Sequence, residues 1–68
     1  MSVYKVIDII GTSTTSWEDA ATTAVTKARE TLRDLRVGRV VEQDLDIGED
    51  GAVTFRTKLA VSFKYEDG

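Results

Sequence analysis

Residues 3–35, VYKVIDIIGTSTTSWEDAATTAVTKARETLRDL, contain the transition that decides the fold. The run opens with Val, Ile and Tyr in a composition typical of a β-strand, which we predict over residues 3–10. Gly11 is expected to end that strand, and the polar segment Thr12–Ser16 leads into an amphipathic helix. A strand followed by a helix, with further strand-like sequence after it, predicts an α+β domain.

The predicted helix begins after Ser16, which stands three residues before Asp19 in a variant of the capping box. Glu18 and Asp19 also place negative charge in the first turn, where the helix dipole favours it. Apolar and small residues then recur at spacings of three and four, which form one stripe: Trp17, Ala20, Ala21, Ala24, Val25, Ala28, Leu32 and Leu35. Because the stripe is mostly alanine, the helix can lie close to a sheet, and we predict its end near Leu35 or Arg36.

Two further strands are predicted after the helix. Residues 37–47 are rich in Val, Leu and Ile and carry alternating acidic residues. Residues 48–51, Gly-Glu-Asp-Gly, have the composition of a hairpin turn. Residues 53–64 alternate with a period of two, with one apolar face formed by Val53, Phe55, Thr57, Leu59, Val61 and Phe63. With a right-handed crossover, this β-α-β-β order predicts a three-stranded antiparallel sheet, order 1-3-2, packed on one helix.

Composition excludes several classes of function. The chain has 68 residues, a formal net charge of −3, and neither His nor Cys. Without those side chains the usual nucleophile and base pairs and zinc ligands are absent, so we expect no enzyme activity. The negative charge does not favour nucleic acid, and no apolar run approaches the roughly 20 residues of a membrane span. We expect a single cytoplasmic domain over residues 1–68 with no nucleic-acid or membrane partner.

One face of the predicted sheet has no cover within the chain. A domain of this size buries only about 60% of the surface that its unfolded chain exposes. Since neither a disulfide nor a zinc site is available, oligomerisation is the remaining common means of stabilising so small a domain. We therefore expect copies of the same chain to bury the uncovered face.

The chain resembles the dodecins, small β-α-β-β proteins that assemble as hollow spheres of twelve subunits. The resemblance is carried by VYKVIDIIGTS at residues 3–13, by Trp17-Glu18 with Ala20-Ala21, by the helix end Ala28-Arg29 to Leu32, and by residues 58–63. It implies a homododecamer that binds, stores or buffers a small ligand or ion. The Ser-Trp-Glu helix start and the Val-Glu-Gln-Asp run at residues 41–44 are similar to the branch described as calcium dodecins.

Flavin is the ligand that the resemblance implies for most dodecins, stacked between tryptophans of neighbouring subunits and bonded by a glutamine. In this sequence Val37-Gly38-Arg39 takes the tryptophan's place and Arg56 takes the glutamine's place. Stacking on Val37 forfeits the aromatic contribution of about 0.5–1.5 kcal/mol per pair. An atypical riboflavin, FMN or FAD site is therefore the alternative function, and its candidate cofactor-binding residues are Val37, Arg39, Arg56 and Lys58.

The basic residues of this set have a second interpretation. Arg39, Arg56 and Lys58 would either bind a phosphate or carboxylate that enters the cage or form salt bridges between subunits. Intersubunit pairing is favoured, because a buried assembly surface must pair its charges.

Glu42, Asp44 and Asp46 are the candidate metal ligands. Their alternation places them on one face of the second strand, about 7 Å apart, and carboxylates suit a hard cation such as calcium or magnesium. Calcium takes about six to eight oxygens, so other copies or water would have to complete the shell. A solvated polar face is the competing interpretation, and a purely structural homo-oligomer is a third function.

Trp17 is the only tryptophan in the chain. A tryptophan in the first turn of a helix is usually a packing residue whose indole N–H finds a carbonyl, and we predict that role here. Stacking on a ligand is the alternative.

Overall fold

The strands and the helix follow the predicted order. The computed structural model describes residues 1–67, so Gly68, the last residue of the predicted domain, lies outside the described part. The elements are β1 (Ser2–Ser13), α1 (Trp17–Ala28), β2 (Leu35–Ile47) and β3 (Val53–Asp67). They form one antiparallel sheet in the order β1-β3-β2. The predicted β-α-β-β class and strand order are confirmed.

The helix begins where the capping residues predicted. Ser16 has an extended backbone, and its hydroxyl accepts a hydrogen bond of 2.9 Å from the N–H of Asp19. The Asp19 carboxylate does not return to the backbone of Ser16, as a full capping box requires, but accepts a 2.6 Å bond from the hydroxyl of Ser13. Because Ser13 is the last residue of β1, this bond fastens the first turn of α1 to the end of the strand.

The helix ends earlier than predicted. It stops at Ala28, whereas the apolar stripe indicated Leu35 or Arg36. A turn follows, and Asp34 adopts a φ of 57°, a left-handed conformation that a right-handed helix cannot contain. Leu35 instead packs against the core as the first residue of β2, two residues before the predicted start of that strand. Among residues 1–67, no helix has the length and apolar content needed to cross a bilayer.

Gly11 does not end β1, contrary to our prediction. It is buried inside the strand, opposite Thr57 of β3. A Cβ atom on Gly11 would collide with the carbonyl oxygen of Ala20 and would lie 2.9 Å from the Cβ of Ala24. Glycine is required here because the backbone of α1 crosses the strand at this point, and the alanines of the helix stripe permit the same close approach.

The core lies between α1 and the two strands β1 and β3. Ala24, Leu59 and Val61 are buried at its centre, and Ile7, Ile9, Ala21, Val25 and Leu35 pack around them. The predicted alternation of β3 is confirmed, since Thr57, Leu59 and Val61 are the most deeply buried residues of that strand. The helix packs on β1 and β3, which leaves Val40, Leu45 and Ile47 of β2 exposed on the same side of the sheet.

The side of the sheet opposite α1 is uncovered, and we call it the open face. Four large apolar side chains on it are strongly exposed: Tyr4 at 48%, Val6 at 63%, Ile10 at 56% and Val37 at 61%. Exposed apolar surface of this kind marks an interaction site. The open face is thus the surface that the sequence predicted other copies to cover.

We expect Gly11→Ala to lower the free energy of unfolding by about 1–3 kcal/mol, because the added methyl group must displace the backbone of α1. Gly38→Ala is the matched control, since a Cβ at Gly38 meets no atom within 4 Å and its φ is not positive. Urea unfolding at equal protomer concentration measures both variants. A Gly11→Ala variant as stable as the parent protein would contradict the close crossing.

Candidate functional site

The three candidate metal ligands stand in a row on the open face. The strand register places Glu42 opposite Lys58, Asp44 opposite Arg56 and Asp46 opposite Thr54 of β3. Since residues paired across a sheet share a face, these carboxylates lie with Arg56 and Lys58 on the side away from the helix. Two basic side chains therefore neighbour two of the three acidic ones.

A β-bulge brings the two sets of predicted site residues onto one surface. The register shifts between Val40 and Glu42, so β2 contains one extra residue against β3. Before the shift, the odd-numbered residues Val37 and Arg39 lie on the open face. After the shift, the even-numbered residues lie there, beginning with Glu42. Without the bulge the carboxylates would point to the helix side. The sequence showed no signal for this irregularity.

Asp44 and Arg56 form a bidentate ion pair. The Nε of Arg56 donates to Oδ1 of Asp44 at 2.7 Å, and a terminal guanidinium nitrogen donates to Oδ2 at 2.8 Å. These hydrogen bonds lower the pKa of Asp44 from its ordinary value and raise the pKa of Arg56. The sequence favours a partner for Arg56 in another subunit, whereas the structure pairs it with Asp44 of the same chain, because the strand register makes the two residues direct neighbours.

The three carboxylates do not converge on one point within a chain. Among the described side chains, those of residues 1–65, no group of three acidic residues is close enough to hold a metal ion. Calcium–oxygen bonds are about 2.3–2.6 Å, whereas same-face residues along a strand lie about 7 Å apart. Both oxygens of Asp44 are moreover engaged by Arg56. An ion at this row would therefore need oxygens from other molecules.

A small crevice opens between the row and the neighbouring strands. Its volume is about 20 Å³, and it is lined by Ile10, Glu42, Asp44, Arg56 and Lys58. This is room for one water-sized body, since a single water needs about 10–15 Å³. A flavin ring is far larger than this space, so such a ligand would have to lie over the open face.

The candidate cofactor residues share the open face but are not gathered around a pocket. Val37 is exposed and lies opposite Ser62, and Arg39 lies opposite Ala60. Lys58 and Arg56 follow further along β3, each opposite a carboxylate. The surface is therefore apolar near Val37 and carries alternating charges from Glu42 onward.

Trp17 fastens the helix to the strand that carries the row. Its indole N–H donates to the carbonyl oxygen of Asp44 at 3.0 Å, and its backbone carbonyl accepts from the hydroxyl of Thr57 at 2.9 Å. Its ring meets the ring of Phe55 edge to face, with centroids 5.0 Å apart. The predicted packing role is confirmed. The sequence could not show which carbonyl accepts this bond. The acceptor is Asp44, a candidate metal ligand, and its position depends on the strand register.

Comparison with known proteins agrees with this architecture. The family model described as Dodecin matches residues 3–66. This chain belongs to the dodecin family. The dodecin chain is 62% identical over 64 residues to a calcium dodecin of Mycobacterium tuberculosis, covering 94% of this chain and 90% of that protein. It is 38% identical over 65 residues to a Thermus thermophilus dodecin, covering 96% of this chain and 94% of that protein.

Solved dodecin structures have the same fold. The crystal structure of the mycobacterial calcium dodecin, described as calcium chelating with a novel calcium-binding site, has a TM-score of 0.89 at 58% identity over 98% of this chain and 96% of that one. A dodecin from Streptomyces davaonensis has a TM-score of 0.88 at 26% identity over 97% of each chain. The resemblance inferred from the sequence is confirmed at the level of family and fold.

The Asp44–Arg56 pair predicts a specific dependence of stability on pH. Because the pKa of Asp44 is lowered in the folded chain, its contribution is fully present above the ordinary value of 3.8 and is lost as the pH falls through the lower folded value. We expect Asp44→Asn to be less stable than the parent dodecin at neutral pH and this difference to shrink below pH 3.8. Urea unfolding midpoints across the acid range measure it.

Asp8→Asn is the control for that experiment, since Asp8 lies in the same sheet opposite Ala60 and forms no ion pair in the described residues. Its stability difference should vary little over the same range. A difference between the parent and Asp44→Asn that stays constant down to the lowest pH would contradict the assignment.

Proposed function

We propose that this dodecin is a non-enzymatic, hollow homododecamer that binds or buffers calcium, or another hard cation such as magnesium. The observation that carries the proposal is the row of Glu42, Asp44 and Asp46 on the open face of a chain 62% identical to a calcium dodecin. The row lies on the surface that must be covered by other copies. Its carboxylates would therefore line the interior of the assembly.

The assembly part of the proposal rests on uncovered apolar surface. Tyr4, Val6, Ile10 and Val37 are each about half exposed or more on the open face, in a chain that has no disulfide or zinc site to stabilise it otherwise. Fully burying a large apolar side chain contributes about 1.5–3 kcal/mol, so covering each of these half-exposed ones contributes roughly half as much. The cover must come from identical subunits if the chain is to be stable by itself in solution.

The proposed binding of a cation depends on bringing the rows of several copies together by symmetry. One chain cannot surround an ion, but equivalent carboxylates from two or three copies meet at a symmetry axis and supply the missing oxygens. The side chains of Glu42 and Asp46 form no hydrogen bond or ion pair among the described side chains of residues 1–65, so both carboxylates are available to an ion. Asp44 is available only after Arg56 has moved away.

A catalytic role has little support in the side-chain contacts. The one serine hydroxyl that donates to a carboxylate in the described residues is that of Ser13, which contacts Asp19. That pair fastens the start of α1, and no histidine exists in the chain to act as a base for a serine nucleophile. The acidic and basic groups of the open face suit binding of ions.

The test is isothermal titration of calcium into chelator-treated protein. We expect saturable heat at millimolar calcium or below, and weaker binding in Glu42→Gln and Asp46→Asn because each removes a negatively charged oxygen ligand. Arg56→Gln should tighten binding roughly two- to fivefold, because it removes the cation that competes for Asp44.

Two controls separate the competing functions. Glu30→Gln changes an exposed carboxylate on the helix side and should leave the calcium titration unchanged. Mixing with riboflavin or FMN should not quench flavin fluorescence, because Val37 offers no aromatic platform and Arg56 is held by Asp44. Flavin quenching without calcium heat would favour the flavin function. No calcium heat and no quenching would leave a purely structural oligomer.

A further inference from the structure

A groove lined by arginines lies on the helix side of the sheet, at the end of the molecule where α1 stops. It has a volume of about 680 Å³ and is formed by the end of α1, the turn that follows it and the start of β2. Val25, Leu32, Leu35 and Val61 form an apolar floor. The charged side chains that line it are Arg29, Arg33, Asp34 and Arg36, and we call this feature the arginine groove.

The arginines of this groove are not neutralised by ion pairs in the part of the chain that the structure describes. Among the described side chains of residues 1–65, those of Arg29, Arg33 and Arg36 form no ion pair or hydrogen bond. Three guanidinium groups against one carboxylate leave two positive charges around an apolar floor. A guanidinium is the side chain best suited to bind carboxylates at an interface, so the groove fits an acidic partner that also carries an apolar group.

Such a partner exists at the opposite end of the same molecule. The last residue of β2, Ile47, and the connection to β3, residues 48–52, form what we call the hairpin tip, which carries two carboxylates, Glu49 and Asp50. Ile47 stands beside them with 68% of its surface exposed. The charge of the tip therefore equals that of the groove with the opposite sign, and both combine charge with apolar surface.

The hairpin tip has a defined shape rather than that of a loose loop. The N–H of Gly48 donates to the carbonyl of Ala52 at 2.8 Å, and the N–H of Gly51 donates to the carbonyl of Gly48 at 2.9 Å. The Asp50 carboxylate accepts from the N–H of Ala52 at 3.0 Å, and Gly51 supplies the positive φ that the turn requires. A preformed turn loses little conformational entropy when it binds.

The tip and the groove cannot meet within one chain. The 13 residues of β2 separate them by about 40 Å of extended strand, and the molecule is 52 Å long. Contact between them therefore requires two copies arranged head to tail. Such a contact is heterologous, so it closes into a ring when the rotation between copies allows it.

We propose that the hairpin tip of one copy docks in the arginine groove of the next, with Ile47 on the apolar floor and Glu49 and Asp50 among the arginines. This rests on the proposed function in so far as the chain assembles. A closed shell needs a second type of contact, because a single isologous contact ends at a dimer. The open face supplies one contact and the tip with its groove supplies the other.

Charge reversal tests the proposal on the full chain. The groove variant is Arg33→Glu with Arg36→Glu, the tip variant is Glu49→Lys with Asp50→Lys, and the swapped variant carries all four changes. Sedimentation velocity over a dilution series gives the protomer concentration of half-assembly. We expect each reversed variant to raise that concentration roughly tenfold or more, equivalent to about 1.4 kcal/mol, and the swapped variant to recover most of the loss.

Controls make each outcome decisive. Lys27→Glu reverses an exposed charge on α1 outside the arginine groove and should assemble like the parent protein. Because Asp50 holds the turn, Glu49→Lys alone is the second tip variant, and far-ultraviolet circular dichroism verifies that all variants are folded. A groove variant that assembles like the parent overturns the proposal. A swapped variant that assembles no better than the groove variant or the tip variant also overturns it. That result is expected if a free anion, and not the hairpin tip, occupies the groove.

The same measurements distinguish an error about the docking of the hairpin tip from an error about the assembly itself. If the parent protein assembles and binds calcium while the reversed variants behave like it, only the docking of the tip is wrong. If the parent protein does not assemble at any concentration, the proposed assembly itself is wrong.

Discussion

The length of α1 constrains the rest of the structure. A helix of 12 residues is about 18 Å long, whereas the 15 residues of β3 span about 50 Å. The helix can lie close to the sheet because Gly11 has no side chain at the crossing and because its own contact residues there are alanines. It nevertheless covers parts of two strands on one side. The apolar residues of β2 on that side, and those of the open face, are left uncovered by the described part of the chain.

The uncovered apolar residues and the proposed cation-binding carboxylates lie on the same surface, the open face. The open face carries the apolar side chains that need burial and the carboxylates that need counter-charges, and both are satisfied best when copies enclose a common interior. The bulge in β2 is the detail that makes this possible, because it turns Glu42, Asp44 and Asp46 to the same side as Val37 and Arg39. Trp17 then holds that part of β2 from the opposite side through the Asp44 carbonyl.

Arg56 makes the three carboxylates of the row unequal, because it binds Asp44 and neither of the others. By occupying both oxygens of Asp44 it neutralises part of the row while no other cation is present, which reduces repulsion among the carboxylates. An ion at the proposed site would have to compete with Arg56 for Asp44, so its affinity would depend on β3 as well as on the row itself. Arg56 also stands where the resemblance implied a flavin-bonding glutamine. The same replacement that weakens the case for flavin thus supplies an intrachain competitor at the proposed cation site.

Local patterns predicted the elements, and tertiary contacts decided what the patterns could not. The order β-α-β-β, the cap at Ser16, the hairpin turn and the packing role of Trp17 follow from periodicity, capping and turn chemistry. The end of α1 was missed because apolar spacing continues through Leu35, although Asp34 leaves the helical conformation. The role of Gly11 and the bulge near Val41 were missed because both depend on contacts between distant segments.

We propose that other copies of the same chain complete a sheet that one short helix covers only in part. Sedimentation velocity of the unmodified protein at micromolar concentration tests it most directly. We expect a single closed species of about twelve chains that persists on dilution, in keeping with the family resemblance. A folded, stable monomer at that concentration would contradict it, because the exposed apolar residues of the open face would then need no cover.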